Sequence, residues 1–138
     1  MKQSLRKSLN EFGLPIIQLE IMGKVYWFIV DTGSNVNLMS PELKDELIHS
    51  ITSAGKLSTL GVGGDSENDL YEIPYSIEGM AFSAIFGTQY STFQVFEKEY
   101  GIKVGGLLGT EFMIRHRVII DFSEGMIYLS GKPGDIKE

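Results

Sequence analysis

The chain has 138 residues, which is the length of one compact domain and leaves no room for two full ones. Its 12 Lys and Arg against 18 Asp and Glu give a formal charge of −6. This charge argues against nucleic acid or an anionic membrane as the main partner, because both need a basic surface. Cys is absent and only two His are present, so disulfides, thiol nucleophiles and Cys-based zinc sites are excluded and a His-rich metal centre lacks ligands.

No segment of the sequence has the pattern of a signal peptide or a membrane span. The basic start at Lys2, Arg6 and Lys7 is not followed by the apolar stretch that a secretory signal requires. The longest apolar run, Val25–Val30, has six residues, whereas a helix needs about 20 to cross a bilayer. The sequence therefore predicts a soluble protein in the cytoplasm.

The first part of the chain is predicted to form a helix and then a hairpin. Apolar residues at helical spacing predict a short helix or an arm over residues 1–12. Ile16–Ile21 and Lys24–Val30 are apolar runs on either side of Met22-Gly23, a pattern that predicts two antiparallel strands and a tight turn. Val25–Val30 has no polar break, so we expect this strand to be buried on both faces.

The middle of the chain combines a helix, a strand and a glycine cluster. Ser40-Pro41 has the residue types of an N-cap and a first helical position, and it predicts a short helix to about His49. Leu57–Leu60 has strand character and leads into Gly61-Val62-Gly63-Gly64. The polar stretch Asp65–Asp69 that follows is predicted to be an exposed loop tip.

The last part of the chain is predicted to hold two further hairpins, a strand and a one-turn helix. The hairpins turn at Glu78-Gly79 and Glu124-Gly125. The single strand covers Phe93–Phe96, and Thr110 is predicted to cap a helix over residues 111–115. Many short strands with little helix predict an all-β barrel or sandwich. The hairpin strands are Tyr71–Ile77, Met80–Phe86, Val118–Asp121 and Met126–Leu129.

One segment, Phe28-Ile-Val-Asp-Thr-Gly-Ser34, combines the features of a chemical site. Asp31 directly follows an apolar strand, where a charged carboxylate is costly unless hydrogen-bond donors surround it. Thr32, Ser34 and the amide of Gly33 supply such donors, and Gly33 lets the backbone turn back closely. The pattern predicts one hydrogen-bonded carboxylate at the rim of a cleft. The alternative is an ordinary strand-to-turn junction.

The same segment resembles the active-site signature of retropepsin-like aspartic peptidases, in which hydrophobic residues lead into Asp-Thr-Gly-Ser or Asp-Thr-Gly-Ala. Two later segments resemble parts of that family in the same order. Gly61-Val62-Gly63-Gly64 is similar to the glycine-rich start of the flap, and Gly106-Leu-Leu-Gly109 is similar to the second signature ahead of a short helix. The resemblance continues through the closing strands and covers about Pro15 to Leu129.

The resemblance implies a fold and an assembly. The fold is an all-β, retropepsin-like acid-protease barrel, closed and single-lobed, with one or two short helices. The active form is a homodimer, and the substrate is a polypeptide. We accordingly divide the chain into an N-terminal arm or short helix over residues 1–14, a peptidase domain over residues 15–130 and a C-terminal tail over residues 131–138.

The resemblance also assigns roles within the first signature. Asp31 is the catalytic carboxylate, and Thr32, Gly33 and Ser34 form the active-site loop. Thr32 is expected to bond its counterpart across a two-fold axis. Ser34 is expected to bond the outer oxygen of Asp31, which would favour the charged carboxylate.

The two later signatures are expected to cover and to support this loop. Gly61, Val62, Gly63 and Gly64 would belong to a mobile flap that binds substrate, although a flexible surface loop has the same composition. Leu107 and Leu108 would be core residues beneath the loop. Gly109 would permit close backbone approach.

Four further residues have chemically active side chains but no pattern that indicates a site. His116, between two Arg residues, is expected at the surface after the short helix. Asp121 ends a strand as Asp31 does, but Phe122 follows it, so we expect a hairpin residue. Tyr71 and Tyr75 are expected in the core rather than in a flap.

Three functions remain open from the sequence. The first is an aspartic endopeptidase that activates water with two carboxylates, one Asp31 from each subunit, without a metal or a cofactor. The second keeps the fold as a catalytically inactive dimerisation or peptide-binding module. The third is an unrelated β-barrel binding domain.

Overall fold

The structure, a computed structural model, describes residues 1–61, 64–88 and 91–130, and it describes side chains in these ranges except at residues 56–68 and 91–92. These residues form ten strands and four helices. The strands are β1 (Lys2–Ser4), β2 (Ile16–Ile21), β3 (Lys24–Val30), β4 (Asn37–Met39), β5 (Thr52–Gly61), β6 (Gly64–Ile77), β7 (Met80–Thr88), β8 (Gly106–Leu108), β9 (Ile119–Asp121) and β10 (Met126–Tyr128). The helices are α1 (Arg6–Phe12), α2 (Pro41–Leu47), α3 (Ser91–Tyr100) and α4 (Thr110–Arg115).

Seven strands form one sheet that closes on itself. The hydrogen-bonded order is β2-β3-β8-β4-β7-β6-β5, and an additional pairing of β2 with β6 at Glu20 and Ser76 closes a ring of six. Only β5 stays outside the ring, as the partner of β6. This arrangement confirms the predicted all-β, single-lobed closed barrel. The part of the chain that the structure describes has four short helices rather than one or two.

A smaller sheet joins the two ends of the described chain. Its order is β1-β10-β9, with both pairs antiparallel. We call these three strands the terminal sheet. The helix or arm predicted for residues 1–12 is a helix only from Arg6 onward, because residues Lys2–Ser4 pair with β10. The predicted tail, residues 131–138, lies outside the described residues.

Buried apolar side chains form two clusters, on opposite faces of β3. Phe28 and Val30 belong to the larger cluster, whereas Ile29 packs with Leu107, Phe93 and Phe96 in the smaller one. This division follows from the alternation of side chains along a strand. The prediction that Val25–Val30 is buried on both faces is wrong for its first half, in which Val25 is 57% exposed and Trp27 is 41% exposed.

The turns predicted at Met22-Gly23 and Glu78-Gly79 and the helix predicted to start at Ser40-Pro41 are confirmed. Met22-Gly23 and Glu78-Gly79 both have positive φ at each position, as a two-residue hairpin turn requires. The strands on either side pair antiparallel, with Ile21 opposite Lys24. Ser40 caps α2, because its hydroxyl accepts a hydrogen bond from the Leu43 amide at 3.1 Å. No helix in the described ranges is long and apolar enough to cross a membrane.

Three local predictions are wrong. Asp65–Asp69 is part of β6 and pairs with β5, since backbone pairing satisfies the polar main chain whatever the side chains are. Phe93–Phe96 lies in α3, because Phe93 and Phe96 are also at helical spacing and both are buried. Thr110 begins α4 instead of capping it: the N-cap is Gly109, with no side-chain bond.

Candidate active site

Asp31 follows the last residue of β3 at the point where two parallel strands end together. Val30 pairs with Leu108 of β8, and the Asp31 amide continues the pairing by donating to the Leu108 carbonyl at 3.0 Å. The position of Asp31 is therefore fixed by the barrel rather than by a free loop. Because side chains alternate, Asp31 shares the side of β3 from which Ile29 projects.

The two carboxylate oxygens of Asp31 have different surroundings. Oδ1 accepts a hydrogen bond from the Gly33 amide at 2.8 Å, whereas Oδ2 has no hydrogen-bond partner among the described residues. A Cβ at Gly33 would lie 3.1 Å from Oδ1, so a larger residue would crowd this bond. Asp31 is half-buried. One oxygen is thus held while the other is available to a water molecule or a second carboxyl group.

The hydroxyl groups beside Asp31 do not form the predicted cradle. Ser34 was expected to bond the outer oxygen of Asp31, but its Oγ donates to the Val36 carbonyl at 2.9 Å and accepts from the Val36 amide at 3.3 Å. The Ser34 side chain therefore closes the turn instead. Thr32 is exposed, and its hydroxyl has no partner in the described part of the chain. Of the three predicted donors, only the Gly33 amide reaches the carboxylate.

Gly109 lies directly against the loop that follows Asp31. A Cβ at this position would overlap the Val36 carbonyl oxygen and would lie 2.6 Å from the Ser34 carbonyl oxygen. The next residue, Thr110, donates its amide to that Ser34 carbonyl at 2.7 Å. The loop and the start of α4 are thus in backbone-to-backbone contact, which only glycine permits.

The strand before Gly109 lies in the core, between β3 and β4. Leu108 is fully buried in the larger apolar cluster, and Leu107 is buried in the smaller one. Gly106 is equally constrained, because a Cβ there would overlap the Leu38 carbonyl oxygen. The sequence analysis did not single out Gly106 as a packing position, although it opens the same signature.

Asn37 is a supporting residue that the sequence analysis missed. It is 1% exposed, its Oδ1 accepts the Gly109 amide at 3.0 Å, and its Nδ2 donates to the Ile85 carbonyl at 3.4 Å. The Asn37 side chain therefore connects the end of the active-site loop both to β7 and to the residue that follows β8. The available signal was a polar residue directly before the apolar pair Leu38-Met39, in a segment short enough to be a buried strand.

The predicted flap is described only at its two ends. Gly61 ends β5, Gly64 begins β6, and the two residues pair with each other. They stand at the far end of a two-stranded arm formed by the outer halves of these strands. Val62 and Gly63 lie outside the described residues. Tyr75 is 2% exposed and belongs to the core, as predicted.

His116 is buried, and the prediction of a surface position is wrong. It is 0% exposed, its Nε2 lies 2.6 Å from the Tyr75 hydroxyl, and its Nδ1 lies 3.0 Å from the Ser130 carbonyl. Burial lowers the pKa of His116 below its usual value and raises the pKa of Tyr75 to about 12. Neither ring nitrogen is free to act on a substrate.

Asp121 is a turn residue, as predicted. Its Oδ1 accepts from the Ser123 hydroxyl at 2.6 Å and from the Glu124 amide at 3.1 Å. These bonds, the one from Ser123 first, hold the pKa of this carboxyl below its usual value. Within residues 1–61, 64–88 and 91–130, no cluster of three or more His, Asp or Glu side chains has the arrangement of a metal site.

Comparisons with known proteins agree with this fold. The sequence profile of the aspartyl protease family matches residues 17–112, which is most of the chain, and the chain belongs to that family. A search of curated proteins finds no match.

Two solved structures are similar to the barrel. The retroviral protease-like domain of Ddi1 from Leishmania major superposes with a TM-score of 0.58 at 13% identity, over 87% of this chain and 90% of that one. The EIAV protease, solved with the inhibitor HBY-793, superposes with a TM-score of 0.52 at 16% identity, over 72% of this chain and 85% of that one. The resemblance to retropepsin-like aspartic peptidases, stated from the motifs, is confirmed.

The contact at Gly109 makes a prediction about stability. Gly109→Ala should destabilise the fold by about 1–3 kcal/mol, because the new methyl group overlaps backbone atoms that cannot move without shifting the loop. The matched control is Gly87→Ala, another buried glycine, whose Cβ would lie nearest the flexible end of Leu38 at 3.2 Å, with Leu70 and the Asn37 carbonyl oxygen at ordinary contact distances of 3.7 and 3.9 Å. Chemical denaturation of both variants checks this. Equal losses of stability would contradict a special constraint at Gly109.

Proposed function

We propose that the protein is an aspartic endopeptidase in which Asp31 from each of two subunits forms the catalytic pair. One observation carries the proposal. The carboxylate of Asp31 lies on a braced loop at a strand end, with one oxygen held by the Gly33 amide and the other without a partner among the described residues, in a chain of the aspartyl protease family. The peptidase domain we propose covers residues 15–130.

The chemistry requires two carboxyl groups that share one proton. The ionised group removes a proton from water, whose oxygen then attacks the carbonyl carbon of the peptide bond, while the other group donates its proton to the carbonyl oxygen. The tetrahedral intermediate collapses when the C–N bond breaks and the nitrogen receives a proton. Water is the nucleophile in this mechanism, and no step needs a metal or a cofactor.

A single chain supplies only half of this pair. The described residues contain one carboxylate in a braced strand-end loop, so the second must come from another copy of the chain. A two-fold axis close to Thr32 would bring two Asp31 side chains together. The exposed Thr32 hydroxyl, unpartnered within the described residues, supports such a contact because it is available to its counterpart.

The surface best suited to assembly is the outer edge of the terminal sheet. In the described ranges β9 pairs only with β10, so its other edge presents free backbone groups. Ile119 is 62% exposed and Phe122 is 64% exposed beside that edge. Antiparallel pairing of two β9 strands about Ile120 would bury both side chains and would bring Arg117 of one copy towards the acidic turn at Glu124 of the other.

The substrate we propose is an extended polypeptide. A cleft between two barrels, covered by a pair of β5–β6 arms, would present backbone groups on both sides, and extended peptides are recognised through such groups. Two carboxyl groups in contact retain a shared proton more readily in mild acid. Each chain carries a formal −6 at neutral pH, so acid also reduces repulsion between the subunits. We therefore expect more activity in mild acid than at alkaline pH.

The second candidate is a dimerisation or peptide-binding module without catalysis. Ser34, the hydroxyl expected to bond Asp31, is turned away from it to the Val36 carbonyl, which favours this alternative. The two candidates differ in whether a peptide bond is broken, and a change at Asp31 separates them.

Asp31→Asn should abolish hydrolysis of a peptide library while leaving the fold intact, because the amide keeps the shape of the carboxylate but cannot exchange the proton. The rate of hydrolysis should fall by more than about a hundredfold, because one general acid or base contributes at least about that factor. Asp45→Asn, the same change at an exposed position of α2, is the matched control and should keep full activity. Turnover by Asp31→Asn within tenfold of wild type, in a preparation free of other peptidases, would contradict the assignment.

The assembly surface makes a second prediction. Ile119→Lys should shift the protein to monomers in sedimentation and should remove activity at concentrations where the wild type is dimeric, because pairing would have to bury a charged ammonium group in place of an apolar side chain. Val95→Lys, on α3, changes a side chain that is 60% exposed and therefore equally accessible, and should leave the dimer unchanged. A fully dimeric and active Ile119→Lys would show that the subunits meet elsewhere.

A further inference from the structure

His116 forms a buried hydrogen-bonded chain between three parts of the fold. It follows α4, and its ring bonds Tyr75 of β6 on one side and the Ser130 carbonyl after β10 on the other. The backbone closes the same contact, since the Ser130 amide donates to the His116 carbonyl at 2.7 Å. One side chain thus joins the barrel to the end of the terminal sheet.

These hydrogen bonds fit a neutral imidazole. A carbonyl oxygen can only accept, so Nδ1 carries the proton that faces Ser130. In the neutral ring Nε2 is the acceptor, and the Tyr75 hydroxyl donates to it. The Arg115 guanidinium donates to the Ser83 carbonyl and brings a positive charge near the same hydroxyl. If Nε2 were protonated, the Tyr75 oxygen would have to accept from it, and the Tyr75 hydroxyl hydrogen would lose its acceptor in a buried site.

The groups around the His116 ring would not stabilise a positive charge on a protonated imidazole. Phe82 of β7 and Phe112 of α4 contact it, with ring centroids 4.8 Å and 4.7 Å away. The charged groups nearby are both on α4: Arg115, which opposes a second positive charge, and Glu111, which acts on Tyr75. From β6 the facing titratable group is Tyr75, and among the described residues after β10 the ring contacts the Ser130 carbonyl.

The segment that His116 binds, Leu129–Ser130, also holds the N-terminal strand β1. The Leu129 amide donates to the Met1 carbonyl at 2.8 Å, and the Met1 amine donates to the Leu129 carbonyl at 2.7 Å. The terminal sheet therefore rests on the barrel partly through the residues beside Ser130. Its three strands are short, with three residues each, so the loss of one anchor is a large change.

We propose that His116 is an acid-sensitive latch: its neutral ring holds the terminal sheet on the barrel, and its protonation releases that sheet before the barrel unfolds. This inference concerns the fold and does not depend on peptidase activity. The direction of this pH dependence follows from the lowered pKa of His116. The latch is fully closed above the ordinary His value of about 6.5, and it opens as the pH falls below that value towards the pKa in the folded protein.

Direct titration of the ring is the first part of the test. The chain has only two His, and His49 is exposed, so His49→Gln assigns both ring signals in an NMR titration. We expect His116 to titrate below the ordinary His value of about 6.5. Titration of His116 at or above that value would overturn the proposal.

Amide hydrogen exchange locates the release. Between pH 7 and pH 5, the protection of the Leu129 and Ser130 amides should fall by up to about tenfold per pH unit, the limit for one proton. The amides of Val30 and Asp31, which bond within the barrel, should keep their protection. Equal loss at both sets of amides would mean global unfolding and would contradict a latch.

Two variants separate the role of the ring from simple packing. In His116→Gln the side chain at position 116 cannot be protonated, so the extra loss of protection at Leu129 and Ser130 in acid should disappear. His49→Gln is the control and should behave as the wild type. Tyr75→Phe keeps the ring but removes the donor to Nε2. In that variant the titration of His116 and the loss of protection should both move to higher pH. Unchanged pH dependence in Tyr75→Phe would overturn the proposal even if His116→Gln failed to fold.

Discussion

The contact between Gly109 and the loop after Asp31 is the constraint on which the site depends. At this point two backbones meet without an intervening side chain, and the Thr110 amide donates to the Ser34 carbonyl, while the Gly109 amide donates to the side-chain oxygen of Asn37. Because β3 and β8 are parallel and adjacent, the loop after one strand and the helix after the other begin at the same edge of the barrel. The carboxylate is therefore positioned by main-chain contacts, which vary less than side-chain rotamers.

The surroundings of Asp31 at this edge are the reason why the mechanism we propose needs two chains. The barrel holds one oxygen of Asp31 through the Gly33 amide and leaves the other without a partner in the described residues. A lone carboxylate with a free oxygen can bind water, but acid–base catalysis at a peptide bond needs a proton donor beside it. In the mechanism we propose, the donor is the same residue of a second subunit. The two groups are related by symmetry, but because they share one proton, one is protonated while the other is ionised.

The proposed dyad and the proposed latch respond to acid in opposite ways. A shared proton and weaker repulsion between acidic subunits favour the active pair as the pH falls. Protonation of His116 releases the terminal sheet, which carries the β9 edge that we propose for assembly. Together these effects predict a window of mildly acidic pH, bounded below by the loss of the terminal sheet rather than by the chemistry of the carboxylates.

The features that the sequence predicted correctly are those encoded within a few residues. Met22-Gly23 and Ser40-Pro41 specify a turn and a helix start through local backbone geometry, and the residues around Asp31 are a contiguous motif. The error at His116 concerns contacts between distant residues. His116 is buried because Tyr75, 41 positions away, and Ser130 enclose it, and no neighbouring residue indicates this. The Ser34 hydroxyl had two acceptors within reach, and only the path of the loop decides between them.

A subunit-mixing experiment tests the central claim most directly. Wild type is mixed with Asp31→Asn at constant total concentration, after brief dissociation to let the subunits exchange, and hydrolysis is measured against the fraction of wild type. If every site needs two Asp31 side chains, activity follows the square of that fraction, so an equal mixture retains about a quarter of the wild-type activity. A linear decrease, with about half of the activity in the equal mixture, would show that each chain acts alone and would contradict the shared site.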